Sequence, residues 1–161
     1  MNILEKKITS LMDKTNTSYA IEIPIVTIAK KLGFVILELE EFPMDINGII
    51  YTSMPNECIK KTYGNKIICL NKSINNAMKR VTIENSIGYY IANNINSTKH
   101  IIKNNELNKF AMILLMDKTI FSSEFKKLKH LPKMQIVNKL SYMFFVPQKY
   151  IVQRINELHL I

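Results

Sequence analysis

The chain predicts an α+β domain, a small sheet of three strands in mixed or antiparallel order packed on a helical bundle. Three observations predict it. Apolar side chains recur at helical spacing near the start, at Ile3, Leu4, Ile8, Leu11 and Met12. Three short β-rich runs follow, each bounded by turn formers. From residue 73 onward the apolar positions return to helical spacing. Helices, then strands, then helices is the order of an α+β domain.

Residues 1–14 read as the first helix and 15–20 as a polar loop. Pro24 suits the first turn of a short helix through Lys31, and Gly33 its stop. Residues 34–39 are the first strand. Pro43 and Asn47-Gly48 punctuate a loop, and Ile49-Ile50-Tyr51 opens the second strand. Residues 56–64 read as a polar connection, and Lys66 to Leu70 as the third strand, between Gly64-Asn65 and Asn71. Ser73 is placed to cap a long helix carrying Met78, Val81, Ile83, Ile87, Tyr90 and Ile91. Residues 93–99 read as a break. Helices are then expected over 106–116, around 122–128, over 136–145 and, after Val146-Pro147, to residue 158.

The 161 residues suit one domain, 1–161, in three parts: 1–72 with the first helices and sheet, 73–116 with the two central helices, and 117–161 with basic helices. Apolar residues make up 47% of the chain, enough for a core without disulfides. No apolar run approaches the roughly 18 residues that a membrane span needs. The charged start lacks a following apolar stretch, so no secretory leader is expected. Cys58 and Cys69 fit no disulfide framework or zinc spacing and read as free thiols of a cytoplasmic protein.

The net charge is +9. Only Arg80 and Arg154 are arginine; the other basic residues are lysine, a point charge without the guanidinium fork. From Lys118 onward eight basic residues face two acidic ones, a local balance of +6. A basic balance of this kind points to an acidic partner, a nucleic acid or simply solubility.

The segment from Arg80 to Tyr90, RVTIENSIGYY, is the most telling. It resembles the metal helix of the ImmA/IrrE family of zinc-dependent peptidases, usually R-F-T-x-A-H-E-x-G-H-Y; Arg80, Thr82, Gly88 and Tyr90 match in register. Pro24 to Gly33 resembles the family's opening helix and turn, and Gly48 to Tyr51 and Lys66 to Asn71 its strands. Glu106 to Ala111 with Leu114 to Met116 resembles the helix that opens with the third metal ligand. Leu140 to Ile161 resembles the closing helix-turn-helix-like segment. The resemblance implies a zincin-like peptidase fold over nearly the whole chain. It also implies, for typical members, zinc-assisted cleavage of a repressor encoded on the same mobile element.

The residues themselves argue against that chemistry here. An HExxH helix sets two imidazoles four residues apart with a general base beside the first. In this register those positions hold Asn85, Ser86 and Tyr89. An amide oxygen is a weak ligand, a phenol of pKa ~10 is seldom ionised, and a serine is no proton acceptor at neutral pH. Of the four positions only Glu106 keeps its chemistry. The expectation is no catalytic residue, no zinc and no other cofactor. Instead, Glu106, Asn85 and Tyr89 should form a hydrogen-bonded cluster where the metal would sit; the alternative is a pocket there that binds a small polar ligand. His100, His130 and His159 lie in separate segments and read as surface or helix-end residues.

The leading reading is therefore a silent pseudo-peptidase of a phage or mobile element that binds a protein partner, whether a repressor, another regulator or a host defence protein. Its groove would be marked by Asn85, Ser86, Tyr89 and Glu106. A basic face of Lys126, Lys127, Lys129, Lys149 and Arg154 would assist. A second reading is a nucleic-acid-binding regulator that uses the C-terminal helices, with Gln148, Lys149, Gln153 and Arg154 projecting from the last one. A third is an active metallopeptidase with unusual ligands.

Overall fold

The computed structural model describes residues 3–92, 98–103 and 109–161. Among these the chain forms eight helices and one four-stranded sheet, in the order α1 (Ile3–Thr15), α2 (Ile25–Lys31), β1 (Phe34–Leu39), β2 (Ile46–Tyr51), α3 (Glu57–Tyr63), β3 (Lys66–Asn71), α4 (Asn76–Ala92), β4 (Lys99–Lys103), α5 (Lys109–Leu115), α6 (Lys118–Leu128), α7 (Lys133–Phe144) and α8 (Gln148–Glu157). The α+β class stands. No helix among the described residues is long and apolar enough to cross a membrane.

The sheet runs β1-β3-β2-β4. β1 lies parallel to β3, pairing Phe34 with Lys66 through Leu39 with Asn71. β2 runs antiparallel to both β3 and β4. The sheet is thus mixed, and four-stranded rather than three-stranded. The added strand, β4, begins at the end of the stretch read as a break. Its residues Lys99, His100 and Lys103 are polar, and only Ile102 is fully buried, so its strand character comes from pairing with β2 rather than from local preference.

Three further boundaries differ from expectation. The polar connection contains α3, started by the Asn56 side chain, which accepts from the Ile59 N–H at 3.0 Å. Asn75, not Ser73, caps α4: its Oδ1 accepts from the Met78 N–H at 2.9 Å, while the Ser73 hydroxyl donates to Asn71 at 2.6 Å. Asp117 starts α6 earlier than expected by accepting from the N–H groups of Thr119 and Ile120.

Asn47-Gly48 is not a turn but lies inside β2, next to a register shift. A Cβ on Gly48 would come within 2.7 Å of the Cys69 carbonyl oxygen and 2.8 Å of Thr82 Cγ2. The glycine is therefore what lets α4 settle directly on the sheet.

Two apolar cores meet at α4 and α5. One gathers Ile8, Ile28, Phe34, Ile68, Ile87 and Leu114 between α1, α2, the sheet and the central helices. The other packs Phe121, Val137, Leu140, Phe144 and Ile151 of the C-terminal helices against Val81 and Leu115. The opposite sheet face carries a small cluster around Met54, Ile67 and Cys69.

Candidate functional site

Helix α4 is the centre of the molecule: every residue from Arg80 to Gly88 is buried. A surface helix would show one apolar stripe. Here the polar side chains are enclosed too, and each must find partners within the fold. Two hydroxyls do so along the helix itself. Thr82 Oγ1 donates to the Met78 carbonyl and Ser86 Oγ to the Thr82 carbonyl, both at 2.8 Å.

The three described positions of the expected groove occupy one side of this helix. Asn85 and Ser86 have no exposed surface, so a partner could touch them only if neighbouring elements moved. Tyr89 is half-buried, and its ring stacks on the His100 imidazole of β4, with centroids 3.5 Å apart and planes tilted by 33°. The strand that local sequence did not reveal thus lies over the end of this face. Glu106 lies outside the described residues, and so does the cluster expected around it.

Tyr90 is held differently. Its hydroxyl accepts from Lys66 Nζ at 2.6 Å, and its ring meets Phe34 edge-on at 5.2 Å.

A zinc centre of the kind the resemblance implies asks for three strong donors. Among the described residues, Asn85, Ser86 and Tyr89 do not supply them. Asn85 brings an amide, the Ser86 proton is committed to a carbonyl, and Tyr89 brings a phenol stacked on an imidazole.

The basic face divides. Lys126, Lys127, Lys129 and Lys149 are exposed on α6, just beyond it and on α8. Lys127 is paired with Glu124 at 2.6 Å. Partial burial lowers the Lys149 pKa, and its ammonium lies 4.8 Å from the centre of the Tyr150 ring. Arg154 does not belong to this face. It is 3% exposed; its Nε donates to the Met116 carbonyl at 3.0 Å and its Nη1 pairs with Glu157 at 2.6 Å. It fastens α8 to the end of α5 instead of projecting from a reading helix. α7 and α8 follow one another, joined through Phe145-Val146-Pro147.

Cys58 is exposed on α3 and Cys69 is buried in β3; both are free thiols, and burial pushes the Cys69 pKa up.

Two residues escaped notice as candidates. Arg80 and Glu84 are one turn apart on α4, 7% and 0% exposed. Arg80 Nη1 donates to the Ile23 carbonyl at 2.6 Å, while its Nε and Nη2 have no hydrogen-bond partner. Neither Glu84 oxygen has a partner either. Burial holds this carboxyl well above the usual range, with the Arg80 charge pulling the other way. The available signal was a lone Arg and Glu at i and i+4 in an otherwise uncharged stretch.

No family model and no curated protein matches this chain.

Proposed function

We propose that this protein is a catalytically silent relative of the ImmA/IrrE peptidases, of zincin-like architecture, that acts by binding a protein partner. The partner class is a repressor, another regulator or a host defence protein of a phage or mobile-element system. The observation that carries the reading is the makeup of α4: where the resemblance implies two imidazoles and a base, Asn85 and Ser86 are sealed from solvent and Tyr89 stacks on His100. None of these groups has the chemistry to activate water.

The test is capture of partners from the native host, with metal measured on the same purified protein. A stoichiometric protein partner recovered intact supports the reading. Stoichiometric zinc with chelator-sensitive cleavage of a polypeptide overturns it. The variant N85H/S86E/Y89H examines the scaffold: on this reading, it gains zinc binding that the parent lacks.

A nucleic-acid-binding role has one observation in its favour, the exposed lysines of α6 and α8 beside the consecutive helices α7 and α8. Binding that weakens steeply with salt and on neutralising Lys126, Lys129 and Lys149 supports it.

A further inference from the structure

The two edges of the sheet differ. β4 begins and ends in exposed lysines, Lys99 and Lys103, and lies beside a register shift in β2. Charge and irregularity of this kind keep an edge from pairing further. β1 has neither protection. Its six residues, FVILEL, pair with β3 in unbroken register, with no proline, glycine or lysine among them. Val35 and Leu39 are 36% and 42% exposed, on the sheet face they share with Leu37. A cleft of about 450 Å³ lies along the other face, lined by Ile25 and Val26 of α2 and by Ile36 and Glu38 of β1, so α2 leaves room beside the strand.

The ladder fixes which backbone groups of β1 are left over. The Lys72 N–H donates to the Leu39 carbonyl at 2.9 Å. Along a strand, the N–H and C=O of one residue point to the same neighbour and those of the next residue point away. Val35, Leu37 and Leu39 therefore bond to β3, while Phe34, Ile36 and Glu38 direct theirs outward. Among the described residues no strand or loop backbone bonds to these outward groups. Charge is also ordered along the edge. Lys30 and Lys66 stand at its start. Glu38, Glu40 and Glu41 stand at its end, the first two paired with Lys79 and Lys72 at 2.8 and 2.6 Å.

We propose that β1 pairs antiparallel with β1 of a second copy of this chain, joining the two sheets into one. A two-fold axis across the edge imposes that antiparallel order. Matching the outward groups sets the register. Ile36 faces Ile36 of the second copy and Phe34 faces its Glu38, each pair exchanging both hydrogen bonds. Between them Val35 meets Leu37 of the second copy, at the closer spacing of a non-hydrogen-bonded pair, and the exposed apolar strip is covered. The same register carries Glu38 of each copy to the Phe34 end of the other. There Lys66 Nζ lies 5.7 Å from the centre of the Phe34 ring, and Lys30 lines the cleft. Acidic end thus meets basic end, whereas a parallel neighbour of the same sequence would set like charges together. This charge order, with the self-matching register, argues for a second copy over an unrelated strand. The pairing stands apart from the function proposed above.

The experiment combines sedimentation of the purified chain from about 1 μM to about 1 mM with amide hydrogen exchange read residue by residue by NMR. A monomer–dimer equilibrium should appear within that range. With about nine-tenths of the chain dimeric, the Phe34, Ile36 and Glu38 N–H groups should exchange about tenfold more slowly than in dilute solution, because only the free edge exchanges. The Val35 and Leu37 N–H groups, already bonded to β3, should change less. Glu38→Pro removes an outward N–H and leaves the bonds to β3 in place. Val35→Lys sets a charge against Leu37 of the second copy. Each should weaken association about tenfold or more. Val35→Lys, at an exposed position, decides the matter if the proline variant fails to fold. A chain that stays monomeric throughout, a dimer whose Phe34, Ile36 and Glu38 amides exchange as in dilute solution, or a dimer indifferent to Val35→Lys overturns the proposal.

Discussion

The Tyr89 ring of α4 lies 3.5 Å, centroid to centroid, from the His100 imidazole of β4. This contact fastens the sheet's edge strand to the central helix, over the face where the resemblance would place a metal. The contact has an energetic signature. A double-mutant cycle with Y89A and H100A should return a favourable coupling of about 0.5–1.5 kcal/mol, the range for stacked aromatic pairs. Urea unfolding midpoints of the four proteins measure it, and additive effects would show that the stack adds nothing beyond burial.

Gly48 predicts a second outcome. The Cβ of G48A would press on the Cys69 backbone carbonyl and on Thr82 Cγ2, at 2.7 and 2.8 Å. Overpacking of this kind costs about 1–3 kcal/mol. Adding T82S removes only one of the two obstacles, since the carbonyl stays. The double variant should therefore recover part of the lost stability in a denaturant titration, and full recovery would mean that the sheet backbone moves freely.

The fold class was legible because burial follows period: α1, α2 and the closing helices carry apolar stripes that local spacing reveals. β4 was not, because Lys99, His100 and Lys103 dilute its strand character and the deciding contact is with β2, far away in sequence. Asn47-Gly48 reads as a turn by local rules, but the glycine answers to Thr82 across the domain. At the site, the spacing of Asn85 and Tyr89 gave their shared face; their depth is set by the elements packed around α4. The arginines held an overlooked clue. In a chain that otherwise uses lysine, both Arg80 and Arg154 are buried on backbone carbonyls, where a guanidinium serves better than an ammonium.

Arg154 follows from that clue. R154A leaves the Met116 carbonyl without its donor and Glu157 without its partner. The expected cost is about 1.5–3 kcal/mol, as for a lost charged hydrogen bond, read from the unfolding midpoint. K126A and K129A, on exposed positions, should stay within about 0.5 kcal/mol of the parent. Weaker nucleic-acid binding by R154A would then report loosened α8 packing, whereas the same loss in the lysine variants would report contact.

Glu84 makes stability depend on pH in an unusual direction. Its carboxyl is wholly buried without a hydrogen-bond partner, and desolvation raises its pKa well above 4.5, with Arg80 opposing. In the unfolded chain it titrates near ~4.3. Between these two values the folded protein keeps the proton and the unfolded chain has lost it. Unfolding then releases a proton, and the Glu84 contribution to stability falls as pH rises, by up to about 1.4 kcal/mol per unit. Below the unfolded value both states are protonated and this contribution is fully present; above the folded value no further loss occurs. Glu84→Gln cannot titrate. It should match the parent in urea at pH about 4 and become progressively more stable than the parent toward neutral pH. A constant difference between the two proteins across that range would mean that Glu84 ionises as readily inside the fold as outside it, which would require a bonded partner such as Arg80 swung toward its carboxylate.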